Sequence, residues 1–530
     1  MSILKELQTQ IKRFIILKLN TNRMTFKNYF SSIAILVFFF FIGCDQKLKT
    51  LNKHPNIIYI LADDLGYGDL SVYNKASKIK TPHLDQMAKE GIRFMDMHTT
   101  SSVCTPTRYS ILTGEYAWRT ALKKGVLWSY GPLMIPKEKE TVSRLLQRNH
   151  YQTAVVGKWH LGLDWQLKTP YHENQVIKND WGLITDYKKE IIDFSRNPTQ
   201  GPTQVGFDYS YILPASLDIP PYVYLENEKF TQPVHTHTQG SNLQGDKDYD
   251  FWRPGPMAQG FDFYKVLPNF INKAKAFIDK AQKKEAPFFL YLPLAAPHTP
   301  WVPMAKDLQK SDAGVYGAFV QMIDDQIGQL LRYLDDLGLA QETLVVFTSD
   351  NGPYWKPHHI DKYGHKAAAH FRGMKGDIYE AGHRVPFIVR WPGRVSPNSI
   401  VNGAHSLADF YATVADLLGH PSKALDSFSL MDQLCNSDTK PDINPVIHHS
   451  SAGHFAIRYG DWKMIEKRGS GGFTPPSKLL TPPGETPERL FNLKQDPSES
   501  VDLSQKFPNQ LQKMKQKLDS IKQLNSISSQ

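Results

Sequence analysis

Four apolar runs of strand length, each cut off by a charged or amide side chain, constrain this chain more than any other feature. NIIYILADD (56–64) ends in Asp63 and Asp64, YQTAVVGKWH (151–160) in Lys158 and His160, APFFLYLPLAAPH (286–298) near His298, and TLVVFTSDN (343–351) in Asp350 and Asn351. Short continuous apolar runs bounded by turn residues read as strands buried on both faces. Helical periodicity falls between them, at 84–90, 141–148, 268–280 and 316–337. Strands alternating with helices predict an α/β fold, a large mostly parallel sheet sandwiched by helices. Ligands of such sheets bind beyond the carboxyl ends of the strands, so the four runs point their chemistry at one crevice.

The remaining segments organise around that sheet. Residues 163–260 are rich in Pro, Gly, Asn and Asp and read as loops over the crevice. Beyond residue 400 come a helix at 408–418, strands at 446–449 and 462–466, a Gly/Pro-rich loop at 469–487 and a final helix at 508–524, together a smaller C-terminal α+β subdomain with an antiparallel sheet. The expected divisions are 1–43 signal peptide, 44–54 tether, 55–435 catalytic domain and 436–530 subdomain. With 530 residues, 41% of them hydrophobic, the chain can bury a large core.

The first residues follow a different rule. Lys5, Lys12, Arg13, Lys18, Arg23 and Lys27 precede ten apolar residues, Ile33 to Ile42, and then Gly43 and Cys44. A basic start and an apolar core too short to span a bilayer form an export signal. FIGC resembles a bacterial lipobox, which predicts cleavage before Cys44, lipidation of its sulfur, and a chain lipid-anchored to a bacterial membrane, facing periplasm or cell surface. A plain secretory signal and an uncleaved anchor are the alternatives, and Met24 is a second candidate start. The formal charge is +10; loss of residues 1–43, with six Lys/Arg and one Glu, lowers it to +5. No basic run is interleaved with aromatics, so no nucleic-acid partner is expected.

Only three cysteines are present in a chain destined for an oxidising compartment. With Cys44 lipidated, Cys104 and Cys435 remain, and a disulfide between them is one reading. The surroundings of Cys104, SSVCTPTRYSILTGEY (101–116), favour chemistry instead. Asp63, Asp64, Asp350 and Asn351 offer only oxygen donors, which suit Ca²⁺ or Mg²⁺ better than zinc. An Asp-Asp pair after a strand is more often a solvated turn; the second strand ending in Asp-Asn shifts the balance.

Cys104-Thr105-Pro106-Thr107-Arg108, followed by Leu112-Thr113-Gly114, resembles the signature of the formylglycine-dependent (type I) sulfatases, which share an arylsulfatase-like, alkaline-phosphatase-like fold. Thr107 stands where Ser or Ala is usual. The resemblance spans about 54–520. It implies that a formylglycine-generating maturation enzyme converts Cys104 to 3-oxoalanine before folding. One oxygen of the hydrated aldehyde then attacks sulfur and the alcohol departs, after which the second hydroxyl loses a proton so that the aldehyde reforms and sulfate leaves. By the same resemblance Asp63, Asp64, Asp350 and Asn351 hold Ca²⁺ with residue 104 completing the site, and Arg108 fixes that residue and the metal ligands. Lys158 and His160 contact sulfate and the hydrate, with His160 the base, while His298 and Lys375 bind sulfate and protonate the leaving oxygen. The summed charge of Ca²⁺, Arg108, Lys158 and Lys375 against Asp63, Asp64 and Asp350 is +2, suited to a sulfate ester.

Substrate contacts are sought in YILPASLDIPPYVYLENEKF (211–230), where Ser216 and Asp218 are candidates for reaching a sugar, and among the aromatic and histidine residues after the catalytic strands: Trp301, Tyr354, Trp355, His358, His359 and His370. His358-His359 lacks a matching pair for zinc. The expected substrate is a sulfated polysaccharide or oligosaccharide, an algal glycan such as ulvan or carrageenan or a glycosaminoglycan. Two other functions stay open: a phosphoesterase of the same superfamily, which would want Ser or Thr at 104, and a noncatalytic glycan-binding lipoprotein.

Overall fold

The strand-like runs form strands because both of their faces find apolar partners. In the computed structural model, which describes residues 54–242, 249–436 and 444–524, β1 (Asn56–Ala62) is buried along its whole length. Its side chains alternate between two cores. Ile57, Tyr59 and Leu61 enter one cluster and Ile58, Ile60 and Ala62 the other, as the two-residue period of a strand requires. The main sheet adds β2 (Ile92–His98), β3 (Gln152–Lys158), β4 (Tyr209–Leu213), β5 (Leu225–Glu226), β6 (Lys229–Phe230), β7 (Phe288–Pro293), β8 (Thr343–Ser349), β9 (Arg384–Arg390), β10 (Ser399–Val401) and β11 (His405–Ser406). The order is β10-β2-β9-β8-β1-β7-β3-β4-β5-β6, with β11 also on β2.

Strands β8, β1, β7, β3 and β4 run parallel, whereas β9 is antiparallel to both β8 and β2. The sheet is thus α/β and mostly parallel, and its parallel centre carries all four polar-ended runs. Helices α1 (Pro82–Glu90), α4 (Val266–Ala281) and α5 (Gly314–Asp336) pack on one face, where Leu84, Phe270, Ile323 and Ile327 join the second cluster. Helices α2 (Cys104–Thr113), α3 (Val142–Arg148) and α6 (Asp409–Leu417) cover the other with Ile111, Leu146 and Val414. Thr141 caps α3, its side chain accepting from the Arg144 N–H, which satisfies one of the donors a helix start leaves unpaired.

The chain then builds an antiparallel sheet of β12 (Val446–His449), β13 (Phe455–Tyr459), β14 (Trp462–Ile465) and β15 (Arg489–Asn492), followed by α7 (Pro508–Gln523). Ile447, Ile457, Met464, Leu490, Met514 and Leu518 pack against Tyr116 and Trp118, just past α2. Residues from Pro55 onward form one compact unit. The expected signal peptide, Cys44 and nearly all of the tether fall on residues 1–53, outside the described residues; among the described residues no helix is long and apolar enough to cross a membrane.

Gly157 shows how closely the strands deliver their ends. Its φ of +143° is one that L side chains rarely adopt, and a Cβ there would meet the Pro293 carbonyl oxygen at 1.8 Å. Gly157→Ala must therefore part β3 from β7 immediately before Lys158. A loss of at least about 2 kcal/mol is expected in denaturant unfolding; a change below about 0.5 kcal/mol would mean that the strands separate freely at this point.

Candidate active site

Three of the parallel strands, β1, β3 and β8, stop where the chain turns polar, and those polar residues converge. Asp63 and Asp64 follow β1, Lys158 closes β3, and Asp350 and Asn351 follow β8. Asp64 and His160 hold φ of +67° and +53°, conformations that non-glycine residues seldom take and that concentrate at functional sites. Cys104 is the first residue of α2, whose every residue is buried and whose end is closed by Gly114 in the left-handed conformation, its N–H donating to the Ser110 carbonyl. A helix start offers unpaired N–H groups and a partial positive charge to an anion.

The side chains form one interlocked cluster. Lys158 Nζ lies 2.6 Å from Asp63 Oδ2 and 3.6 Å from Cys104 Sγ, and Cys104 Sγ is 3.7 Å from Asp63 Oδ1. Arg108 donates from Nε and Nη2 to Asp350 Oδ2 at 2.9 and 2.6 Å, and from Nη1 to the Lys158 carbonyl at 2.8 Å. Lys375 Nζ sits 2.6 Å from Asp64 Oδ1, which also accepts from Asn351 Nδ2 at 2.7 Å. His298 Nε2 is 3.7 Å from Asp64 Oδ2 and its Nδ1 is 3.7 Å from Asp218 Oδ1. His160 donates from Nε2 to the Leu127 carbonyl at 2.9 Å, leaving Nδ1 buried and without a partner.

The charges tune one another. Burial works to raise the Asp63 pKa, but Lys158, His298 and Arg108 outweigh it and hold the carboxyl well below its usual range. Burial and the adjacent Asp63 charge push Asp350 up against the pull of Arg108. Burial and Asp350 push the Cys104 thiol up, away from the thiolate form that a cysteine nucleophile needs. Burial, Lys158 and Arg108 hold His160 far below its ordinary value, so its ring is neutral and Nδ1 is a free acceptor.

A hard cation fits this donor set. Asp63, Asp64 and Asp350 bring carboxylate oxygens together, Asp350 against the repulsion of its neighbour, and Asn351 Oδ1 is buried without a hydrogen-bond partner. Such groups suit Ca²⁺. Ligand atoms of Asp63, Asp64, Cys104 and His298 lie within 4.8 Å of one another; Asp350 is turned toward Arg108. Cys104 and Cys435 are both free, one buried and one exposed, so the disulfide reading falls.

Above the cluster opens a cavity of about 360 Å³ whose wall includes Cys104, His160, Asp218, His298 and Lys375. Of the expected sugar contacts, Asp218 is on this wall, held by Arg253. Three others are corrected. Trp301 is 6% exposed and its ring packs on Tyr316, Trp355 and His359, so its aromatic surface is spent inside the protein. Ser216 is fully buried in a bridge to Ile219, and His370 lies tilted against the Phe371 ring and is not on the cavity wall. Trp128, Phe251, Arg253 and Phe473, which no sequence signal singled out, line the cavity instead, with the Arg253 guanidinium over both Trp128 and Phe251.

An α/β sheet that gathers a helix start, two lysines, an arginine and two histidines around one small cavity defines a hydrolase of anionic esters. Residues 55–420 match the family model described as Sulfatase, and the chain belongs to that family: it is a sulfuric ester hydrolase. It is 32% identical to the N-acetylgalactosamine-6-O-sulfatase of Bacteroides thetaiotaomicron, over 91% of this chain and 96% of that protein, and 31% identical to human arylsulfatase A, over 85% and 83%. A solved structure from work on glycosaminoglycan metabolism by Bacteroides thetaiotaomicron superposes with a TM-score of 0.74 at 30% identity, covering 89% of this chain and all of that one.

Arg108 and Asp350 are both fully buried. Arg108→Ala strands a carboxylate without its partner, with an expected loss of about 3–5 kcal/mol in denaturant unfolding. Arg108→Lys, unable to reach both Asp350 and the Lys158 carbonyl, is expected to recover only part of it. A loss below about 1 kcal/mol for the alanine variant would show that the pair does not hold the cluster together.

Proposed function

We propose that this sulfatase removes sulfate from a sulfated glycan, with residue 104 matured to formylglycine and Ca²⁺ held by Asp63, Asp64, Asp350 and Asn351. The observation that carries the reading is Cys104 itself. It sits at a helix start beside Asp63 and Lys158, in the position of a nucleophile, yet its thiol is buried and held protonated. That setting suits a precursor better than a working thiol. Formylglycine supplies a hydrated aldehyde oxygen that accepts the sulfuryl group and a second hydroxyl that permits its release, and Ca²⁺ supplies positive charge at the ester oxygens.

The chain's own groups then have distinct tasks. Lys158, kept an ammonium by Asp63, and Lys375, kept one by Asp64, bind the sulfate oxygens. Arg108 fixes Asp350 and the end of β3. His160 accepts a proton at Nδ1. His298 donates from Nδ1 to the Thr299 carbonyl at 2.7 Å, which leaves Nε2 to protonate the departing oxygen. A glycan substrate is supported by the relative that acts on N-acetylgalactosamine 6-O-sulfate and by a cavity mouth where Trp128 and Tyr354 offer ring surface beside Asp218 and Arg253. A phosphoesterase reading lacks the hydroxyl nucleophile at 104, and a binding module has no use for the buried cluster. Export and lipid anchoring at Cys44, and maturation by a formylglycine-generating enzyme, complete the proposal.

Mass spectrometry of the peptide holding residue 104, from protein made in its native host, is expected to show the aldehyde; an intact thiol in protein that still releases sulfate overturns the mechanism. Cys104→Ala and Cys104→Ser are each expected to lose turnover on sulfated oligosaccharides by about 10³-fold or more. Ca²⁺ chelation is expected to abolish activity, with no rescue by zinc. Cys44→Ala is expected to move the chain from the membrane to the soluble fraction; unchanged membrane association argues against the lipid anchor.

A further inference from the structure

On the other side of the loop that leads into Cys104, three histidines from distant parts of the chain meet in a fully buried cluster. They are His98 at the end of β2, His383 immediately before β9 and His448 in β12, each 0% exposed. One ring nitrogen from each lies within 4.8 Å of the other two. None of them belongs to the sulfatase centre.

The hydrogen-bond accounting around these rings does not close. His98 Nε2 is 2.6 Å from Asp96 Oδ1 and His383 Nε2 is 3.3 Å from the Ile378 carbonyl. His98 Nε2 thus carries its proton toward Asp96, and where His383 Nε2 carries its own toward the Ile378 carbonyl both inner nitrogens are bare. The two Nδ1 atoms, then bare lone pairs, point at each other across 2.9 Å. Two lone pairs at that distance repel unless a cation lies between them. Lys463 offers a competing account: its Nζ is 3.1 Å from His383 Nε2, and by donating there it would free His383 Nδ1–H to bond His98. That chain leaves His448 unserved. Both of its nitrogens are buried without a hydrogen-bond partner, although its ring lies 3.5 Å from that of His383 and 5.7 Å from that of His98. A buried imidazole with neither nitrogen satisfied is costly.

We infer that His98, His383 and His448 form a second metal site, for one divalent d-block ion of the zinc class. Three neutral imidazoles are the ligands such an ion takes, at about 2.0–2.1 Å and so about 3.3 Å from one another; the 2.9 Å gap between His98 and His383 opens by a few tenths of an ångström to admit it, and the His448 nitrogen, within 4.8 Å, closes in on them. Asp96 and the Ile378 carbonyl act as the outer acceptors that orient metal-bound histidines. Burial disfavours protonation of all three rings, and around them Asp96, Glu380 and Glu499 balance Arg384, Arg458 and Lys463. A water completes the coordination. The site joins the C-terminal sheet to the approach to Cys104, because the carbonyl of the next residue, His449, accepts from the Ser102 N–H at 3.0 Å.

Elemental analysis of the full chain, purified without chelators, tests this. One zinc-class ion per chain is expected in both the wild type and Cys104→Ala, the second variant removing the thiol of the sulfatase centre. His448→Phe, which keeps a ring of similar size, is expected to lose that ion, retain calcium binding and melt at a lower temperature. An ion retained in His448→Phe overturns the site. So does wild-type protein that holds no such ion and takes none up when refolded with Zn²⁺, the result expected of a hydrogen-bonded histidine chain only. Should His448→Phe fail to fold, X-ray absorption of the wild type decides: imidazole nitrogens in the metal's shell support the site, and a shell without them overturns it.

Discussion

The pairing of Asp63 with Lys158, both fully buried at 2.6 Å, is the contact on which the rest of the centre depends. A carboxylate and an ammonium moved out of water cost several kcal/mol each, and the cost is offset only where geometry is close and every remaining lone pair is served. Here Arg108 supplies the second cation, 3.7 Å from Asp63 and bonded to Asp350. The tips of β1, β3 and β8 are therefore tied by charge as well as by backbone. The same groups to which sulfate binding is assigned in the proposal clasp the carboxyl ends of the strands, so on that reading reactivity and architecture are not separable at this edge of the sheet.

Around that clasp the sheet changes character. Its parallel centre presents polar ends in one direction, and β9, running the opposite way, closes one flank while returning the chain past Lys375 and His383 toward β2. The C-terminal sheet then adds no group to the cavity wall beyond what its adjoining loop contributes through Phe473. It braces the segment before and after α2 through Tyr116, Trp118 and the bridge between Ser101 and His449. Stability distant from the reacting atoms thus bears directly on where residue 104 sits.

Much of this was legible in the chain. Strands such as 56–62 and 288–293 declare themselves because burial on both faces leaves a nearly unbroken apolar run. β2 and β9 were not read: IRFMDMH mixes Arg93 and Asp96 into the strand, and RVPFIVR carries a proline and charges at both ends. Asp63, Asp64, Lys158, His160, Asp350 and Asn351 were legible because they close or follow strands, whereas Lys375 lies in a turn and was legible only through the family resemblance. The cavity wall was not, since Trp128, Arg253 and Phe473 come from loops far apart in sequence and meet only through tertiary packing. Trp301 misleads for a related reason: an aromatic ring just past a catalytic strand looks available to a sugar, whereas here it finishes a stack with Tyr316 and Trp355.

The bridge from Ser101 to His449 also sets an order of events. Cys104 leaves the ribosome well before the strand that pins its approach, and at ordinary elongation speeds the interval is on the order of tens of seconds. Until Val446–His449 arrives, the segment leading into Cys104 lacks this brace; afterwards it is pinned at Ser101 and Ser102. Synthesis rate and the placement of a late-made strand together act as a clock for any chemistry performed on that sulfur.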